Sequence, residues 1–88
     1  MTIYKYPIKI TDEQIVMLPS GAEILTAQFQ GHTLCLWAQV EEKLSVAKGR
    51  TIEVFGTGQP MSMRYNRRYI GTAQQSGGSL IWHIFERE

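Results

Sequence analysis

The sequence contains few of the residues from which disulfides, metal sites and catalytic centres are built. Cys35 is the one cysteine among 88 residues, so no disulfide can form within the chain, and a set of thiol metal ligands is missing. Two histidines and a single aspartate, Asp12, leave little material for a catalytic triad. We therefore predict a protein that is not an enzyme and that holds no metal or other cofactor. Its cysteine is predicted to be a buried packing residue in a reducing cytoplasm.

Long apolar runs and a strong net charge are also missing. No stretch approaches the roughly 18 apolar residues of a membrane span, and Met1–Pro7 lacks the apolar segment of a signal peptide. A net charge of +1 argues against binding to long nucleic acid, which needs many phosphate contacts. However, the segment from Val54 to Phe85 contains Arg64, Arg67 and Arg68 and no acidic residue. We expect no membrane partner and no long nucleic acid, but such a segment is compatible with one small anion.

The prevailing hydrophobic period is two, which predicts an all-β protein. Residues 1–88 are long enough for a single β domain, and we expect a small antiparallel β-sandwich or partly open barrel of about seven strands. Strands are predicted at 3–10, 14–18, 23–30, 33–40, 50–55, 68–74 and 79–86. Gly31-His32 is predicted to be the turn of a hairpin. Residues 41–49 are predicted to form a solvated loop, with a short helix as the alternative.

The last predicted strand is apolar on both of its faces. Its alternating residues are Leu80, Trp82 and Ile84 on one face, and Ile81, His83 and Phe85 on the other. Trp37 likewise lies opposite the aliphatic face of its own strand. A small sandwich buries one face of each sheet, so the additional apolar face predicts a homo-oligomer, a dimer or a tetramer, with these strands at the interface. The alternative is that the sheet is covered by the chain's own long loop.

The two histidines point to ordinary structural positions. His32 lies in the predicted turn, where a solvated side chain is expected. His83 lies in the last strand, where an imidazole satisfied by its neighbours is a more common situation than a metal ligand or a general base.

The segment Phe55–Pro60 is the first candidate for ligand binding. Gly56, Thr57, Gly58 and Gln59 place two glycines around a threonine, which allows successive backbone N–H groups to turn toward one anion. The Thr57 hydroxyl and the Gln59 amide would add donors. The alternative is a plain turn or bulge between strands.

The segment that follows interleaves cationic and aromatic side chains. Arg64, Arg67 and Arg68 could grip phosphate oxygens, and Tyr65 could stack on a base. Trp37 is the second candidate for stacking. The alternative is a solvated, charged loop whose arginines contribute to solubility.

Six segments spread over nearly the whole chain resemble a family of short bacteriophage proteins that carry a domain of unknown function. The segments are YKYP (4–7), LPSGAEIL (18–25), LCLWA (34–38), FGTGQP (55–60), YIGT (69–72) and GGSLIWHIFE (77–86). The resemblance implies an early, nonstructural product that acts in the host cytoplasm. By analogy, several unrelated compact phage proteins of this size are oligomeric sponges for cyclic nucleotide immune signals.

These observations together predict an anti-defence protein. It would bind and sequester a cyclic di- or trinucleotide immune signal without cleaving it, using the glycine turn for phosphates, Arg67 or Arg68 for charge, and Tyr65 or Trp37 for stacking. Two alternatives remain open: an inhibitor that binds a host protein directly, through an exposed strand edge or the Arg/Tyr loop, and a small virion or structural accessory protein.

Overall fold

The computed structural model describes residues 1–41 and 46–88 of the chain. Seven strands and one short 3₁₀ turn make up the regular structure of these residues. In chain order they are β1 (Thr2–Pro7), β2 (Glu13–Pro19), β3 (Glu23–Gln30), β4 (Thr33–Val40), β5 (Ala47–Gly56), β6 (Arg67–Gln74), the 3₁₀ turn Ser76–Gly78, and β7 (Ile81–Arg87). The predicted all-β class is confirmed. No helix among the described residues has the length and apolar character needed to cross a membrane.

The strands form two antiparallel sheets. The first sheet has the order β1-β4-β3, and the second has the order β2-β5-β7-β6. The Cα atoms span 40 × 33 × 15 Å, and the short dimension is what two sheets stacked about 10 Å apart require. Pairing joins strands that are distant in sequence, as β5 pairs with both β2 and β7.

The core lies between the sheets and follows from the alternation of side chains. In β4, Leu34, Leu36 and Ala38 point inward and are fully buried, as their period of two predicted. They meet Ile52 and Ile84 from the second sheet in one apolar cluster. Because each of these strands is apolar on its inner face, stacking the sheets removes both faces from water at once.

The two sheets approach each other closely along β3 and β6. Each of these strands contains a β-bulge, between Ile24 and Thr26 in β3 and between Tyr69 and Gly71 in β6. A Cβ added at Gly71 would lie 3.5 Å from the backbone N and O of Ala27, so the two backbones are in contact there. Bulges bend strands, and here they curve both sheets toward each other. The opposite side is not closed, since β1 and β2 are the outer strands of their sheets.

Several predicted boundaries differ from those observed. Strand β5 begins at Ala47 instead of Arg50, because residues 47–49 pair with the end of β2. Strand β1 ends at Pro7 because the backbone of Lys9 bonds instead to the Gln14 side chain, with Lys9 N donating to Gln14 Oε1 over 3.0 Å. Strand β7 begins at Ile81, after the 3₁₀ turn.

The predicted hairpin at Gly31 is confirmed, with φ at +61°. Part of the predicted 41–49 loop, residues 42–45, lies outside the described residues.

Candidate functional site

The turn after β5 uses its own donors internally. Gly56 N donates to the Gln59 side-chain oxygen over 2.9 Å, and Gln59 N donates to Gly56 O over 3.1 Å. Thr57 N donates to Ile81 O over 3.4 Å. Gly58 supplies the positive φ of +87° that lets the turn close. Three of the N–H groups expected to cradle an anion therefore already bond within the chain. The Gln59 side-chain amide donates to Asp12 Oδ1 over 3.3 Å, and the Thr57 hydroxyl is bonded to His83.

A line of hydrogen bonds connects this hydroxyl to β6. Thr57 Oγ1 lies 2.7 Å from His83 Nε2, and His83 Nδ1 lies 3.0 Å from Thr72 Oγ1. Thr72 Oγ1 is in turn 2.6 Å from the hydroxyl of Tyr69. Both imidazole nitrogens thus have partners, as predicted for a structural strand histidine, and the ring is held at the turn. The hydroxyl groups can donate or accept, so either tautomer of His83 satisfies this relay of four side chains.

A cavity of about 240 Å³ opens beside the turn. Its lining residues are Gly56, Thr57, Ser79, Leu80, Ile81 and Trp82. A Cβ at Gly56 would lie 3.4 Å from the Trp82 ring, so the missing side chain leaves that part of the ring uncovered. The indole nitrogen of Trp82 donates to Gln75 Oε1 over 3.1 Å, which fixes the ring. The cavity offers an aromatic surface in a volume suited to one flat ring. Thr57 lines it, but the Thr57 hydroxyl bonds to His83, whose side chain points to the opposite face of β7 from Trp82.

Arg67 is held in an ion pair beneath the loop that joins β5 to β6. Its Nε lies 2.5 Å from Oε1 of Glu53, its Nη1 donates to Ser62 O over 2.5 Å, and its guanidinium lies 5.3 Å from the Phe55 ring centroid. Only 10% of the Arg67 side chain and 4% of the Glu53 side chain are exposed. The guanidinium predicted to neutralise a phosphate is therefore engaged with a carboxylate.

The same loop places Tyr65 over the outer face of the second sheet. The guanidinium of Arg87 lies 3.8 Å from the Tyr65 ring centroid and is also bonded to Glu53 over 3.1 Å. The Arg64 guanidinium lies 5.9 Å from the same ring centroid. Through Arg67, which contacts both Tyr65 and Phe55, the loop covers part of the outer face around Phe55. Cover by the chain's own loop was the alternative to burying the apolar face in an oligomer.

Of the two predicted arginines that form ion pairs, Arg67 and Arg68, Arg68 is the more exposed. It contacts Glu86 over 3.2 Å, and 43% of its side chain is exposed. Glu86 is gripped more strongly by Arg50, whose Nε and Nη2 lie 2.5 and 2.9 Å from its two oxygens, and Arg50 also donates to Ala22 O over 2.6 Å. The hydrogen bond from Arg50 holds the pKa of the Glu86 carboxyl below its usual value, against the opposing effect of burial.

The remaining predicted residue, Trp37, lies elsewhere. It is half-buried on the outer face of the first sheet, opposite Lys5 in β1 and Thr26 in β3. Gly56 pairs with Trp82 of β7, and Arg67 pairs with Arg87 of the same strand. These two partners are five positions apart, so about 17 Å along the sheet separates the glycine turn from Arg67. The predicted site residues therefore occupy four separate places, since Arg68 also lies on the opposite face of β6 from Arg67.

A second cavity, of about 460 Å³, lies at the Arg68 end of the second sheet and is lined by charges of both signs. Lys48, Arg50 and Arg87 face it together with Glu86 and Glu88. Because these charges largely offset one another, the cavity does not favour an anion or a cation. No group of three or more potential metal ligands occurs among residues 1–41 and 46–88.

The fold and this site define a small all-β protein with two open antiparallel sheets and a relay of hydroxyl and imidazole groups beside an aromatic cavity. A family model for the domain of unknown function DUF7352 matches residues 1–88, and the chain belongs to that family. A search of the curated proteins found no match, and a search of the solved structures found none.

The relay itself was not predicted from the sequence. Tyr69, Thr72 and His83 were assigned to strands but not to a common site. The available signal was that FGTGQP, YIGT and GGSLIWHIFE, three of the segments on which the family resemblance rests, supply all of its members. The structure brings these three segments together at one end of the second sheet.

Proposed function

We propose that this protein is a phage-encoded, non-enzymatic binding protein that sequesters a cyclic di- or trinucleotide immune signal in the host cytoplasm. The observation that supports it is the uncovered ring of Trp82 in the 240 Å³ cavity that Thr57 also lines. A base stacked on an aromatic ring contributes about 1–3 kcal/mol, and a positioned hydroxyl can bond to a base edge. The cavity admits one base, while the rest of the ligand would lie over the exposed turn at Thr57 and Gly58.

Binding without cleavage agrees with the chemistry of the relay. His83 contacts Thr57 as a general base contacts a nucleophile, but its other nitrogen faces the neutral hydroxyl of Thr72 instead of a carboxylate. A neutral partner can orient the imidazole but does not stabilise the imidazolium that proton transfer would create. We therefore assign the relay to holding in place the turn that borders the cavity.

Calorimetry against a panel of cyclic di- and trinucleotides tests this proposal. A sponge must keep the free concentration of its ligand below the dissociation constant of the host effector that the ligand activates, so we expect an affinity on the order of nanomolar. After heat release, mass spectrometry should recover the ligand intact. Gly56→Ala places a methyl group against Trp82 and is expected to weaken binding at least tenfold. Thr57→Val should also weaken it, whereas Thr51→Val, the same change inside β5 and away from this cavity, should not. No binding at micromolar protein, or recovery of linear products, would contradict the proposal.

A direct inhibitor of a host protein is the second candidate, and exposed side chains of the loop favour it. Met63 is 99% exposed, and Met61 and Tyr65 are also exposed. Methionine-rich surfaces adapt to protein partners. If this candidate holds, affinity capture from host lysate will recover one host protein in stoichiometric amount, and the Met63→Ser variant will no longer capture it. The calorimetric panel will then show no binding. Detection of the chain in purified particles would instead support a virion accessory protein.

A further inference from the structure

The loop that joins β6 to β7, residues 75–80, is closed by the polar groups of a single residue, Gln75. Its backbone N–H donates to Leu80 O over 2.9 Å, and its backbone carbonyl accepts from Gly78 N over 2.7 Å. Its side-chain oxygen accepts from the indole nitrogen of Trp82 over 3.1 Å. Gln75 therefore connects the backbone of the loop to the aromatic ring in the cavity.

The orientation of the Gln75 amide follows from the chemistry of its partner. An indole N–H can only donate, so the amide group that faces it must be the oxygen and not the nitrogen. This bond holds Trp82 at the edge of the indole that carries Nε1. At the opposite edge, Cζ3 and Cε3 lie 3.4 and 3.8 Å from the position of a Cβ at Gly56, where no side chain is present. The hydrogen bond from Trp82 to Gln75 thus opposes rotation of a ring whose other edge is uncovered.

Leu80 and Trp82 are two walls of the 240 Å³ cavity. Leu80 O continues the β6–β7 ladder by accepting from Gln75 N, so the two side chains lie on the same face of the strand, about 7 Å apart. Carbon atoms in contact lie about 3.5 Å apart, so this spacing admits one flat ring that touches both side chains. Leu80 is 50% exposed, as the wall of an open slot would be.

We propose that Gln75 is the positioning residue of a base-sized slot between Leu80 and Trp82. Its side chain sets the plane of the indole, and its backbone N–H sets the place of Leu80, so one residue fixes both walls. The slot takes a flat heteroaromatic ring, which stacks on Trp82 and makes apolar contact with Leu80. The use of this slot for a cyclic nucleotide rests on the proposed function, whereas the slot itself does not.

Preorganisation is the reason that Gln75 matters for affinity. A side chain that must be immobilised when a ligand binds lowers the affinity, whereas a side chain that is already held does not. Gln75→Leu keeps a side chain of similar size and removes the acceptor for the indole N–H. We expect this change to weaken binding of a base in the slot by about three- to tenfold.

NMR of the free protein tests the positioning without a ligand. The chain has two tryptophans, and Trp37→Phe identifies which indole N–H signal belongs to Trp82. In Gln75→Leu, the Trp82 N–H should exchange with water about fivefold faster, as expected for the loss of one neutral hydrogen bond. Gln75→Glu, whose carboxylate is still an acceptor, should keep the exchange slow. Gln74→Leu is the matched control, because Gln74 is exposed and alternates to the opposite face of β6.

Titration with adenosine monophosphate tests the slot, since this probe carries a single base. At millimolar concentration it should shift the indole signal of Trp82 and the methyl signals of Leu80, and leave the Trp37 signal unchanged. Gln75→Leu should weaken this binding, whereas Gln74→Leu should not. Leu80→Ala should also weaken it but leave N–H exchange of Trp82 in the free protein as it is, because the Leu80 side chain takes no part in the bond to Gln75.

Three results would overturn the proposal: unchanged N–H exchange of Trp82 in Gln75→Leu, an equal change in Gln74→Leu, or no effect of adenosine monophosphate on Trp82. Circular dichroism verifies that the variants are folded. If Gln75→Leu does not fold, Gln75→Asn, which is one methylene shorter and cannot reach the indole, takes its place.

The same measurements separate the slot from the proposed function. If adenosine monophosphate shifts Trp82 but no cyclic nucleotide binds at micromolar protein, the slot stands and sequestration is rejected. If a cyclic nucleotide binds equally well to the native protein and to Gln75→Leu, sequestration stands and the positioning role of Gln75 is rejected.

Discussion

Arg67 and Glu53 form an ion pair on the outer face of the second sheet, with Nε 2.5 Å from Oε1 and both side chains nearly excluded from water. The loop that contains Ser62 covers them. Removing Glu53 leaves the Arg67 charge without a carboxylate partner in a poorly solvated place, whereas removing Arg67 leaves Glu53 paired with Arg87 over 3.1 Å. The first prediction concerns this pair.

We expect Glu53→Gln to lower the free energy of unfolding by roughly 3 kcal/mol, the usual cost of breaking a buried pair, because it leaves Arg67 without a carboxylate. Urea denaturation measures it. Arg67→Met combined with Glu53→Gln should cost less than the sum of the two single changes, because the double variant leaves no unpaired charge. Additive losses would show that the pair is not coupled.

Acid sensitivity is expected at Glu86. The Arg50 hydrogen bond lowers the pKa of Glu86 from its ordinary value of 4.5, so its contribution to stability is present above that pH and is lost as the pH falls through the folded-state pKa. Glu86→Gln should therefore flatten the dependence of unfolding free energy on pH below 4.5. Glu23→Gln, at an exposed position of β3, controls for the loss of one carboxylate. An unchanged slope in Glu86→Gln would refute the assignment.

The core between the sheets predicts a contrast between two leucines. Leu36 is fully buried, so Leu36→Ala should destabilise the protein by about 2–5 kcal/mol through lost burial and the cavity left behind. Leu25→Ala is the matched control, because Leu25 lies 40% exposed at the bulge of β3, and it should destabilise the protein much less. Chemical denaturation followed by Trp fluorescence measures both.

Thr72 holds the imidazole of His83, and its loss should be visible at that ring. Thr72→Val removes the hydroxyl that lies 3.0 Å from His83 Nδ1, and we expect it to lower the free energy of unfolding by about 1 kcal/mol. ¹⁵N NMR of His83 should show a changed tautomer population. Thr26→Val, which removes a hydroxyl from β3 instead, should leave the ¹⁵N shifts of His83 as they are.

The thiol of Cys35 should be inaccessible in the folded protein. It is 1% exposed and lies between Gln28 and Pro7 in adjacent strands. A disulfide reagent should therefore react with it only in denaturant. Gln28→Cys, exposed beside it, should react at once, and rapid reaction of Cys35 in the native protein would contradict its burial.

Much of the fold was predictable because its signals are local. Alternation in Leu34–Val40 assigned the inner face of β4, and Gly31-His32 located the hairpin turn, since both depend on residues a few positions apart. The start of β5 was placed too late, because residues 47–49 become a strand by pairing with β2 and carry little strand signal of their own.

The sequence by itself determined the all-β class, the inner face of β4 and the shortage of catalytic and metal-binding side chains. The tertiary structure decided which side chains meet. Arg67 and Arg68 are adjacent in sequence, yet they point to opposite faces of β6, where one finds Glu53 and the other Glu86. Likewise His83 meets Thr57 and Thr72 because β7 lies between β5 and β6. Strand order depends on contacts between distant segments, and no local period specifies it.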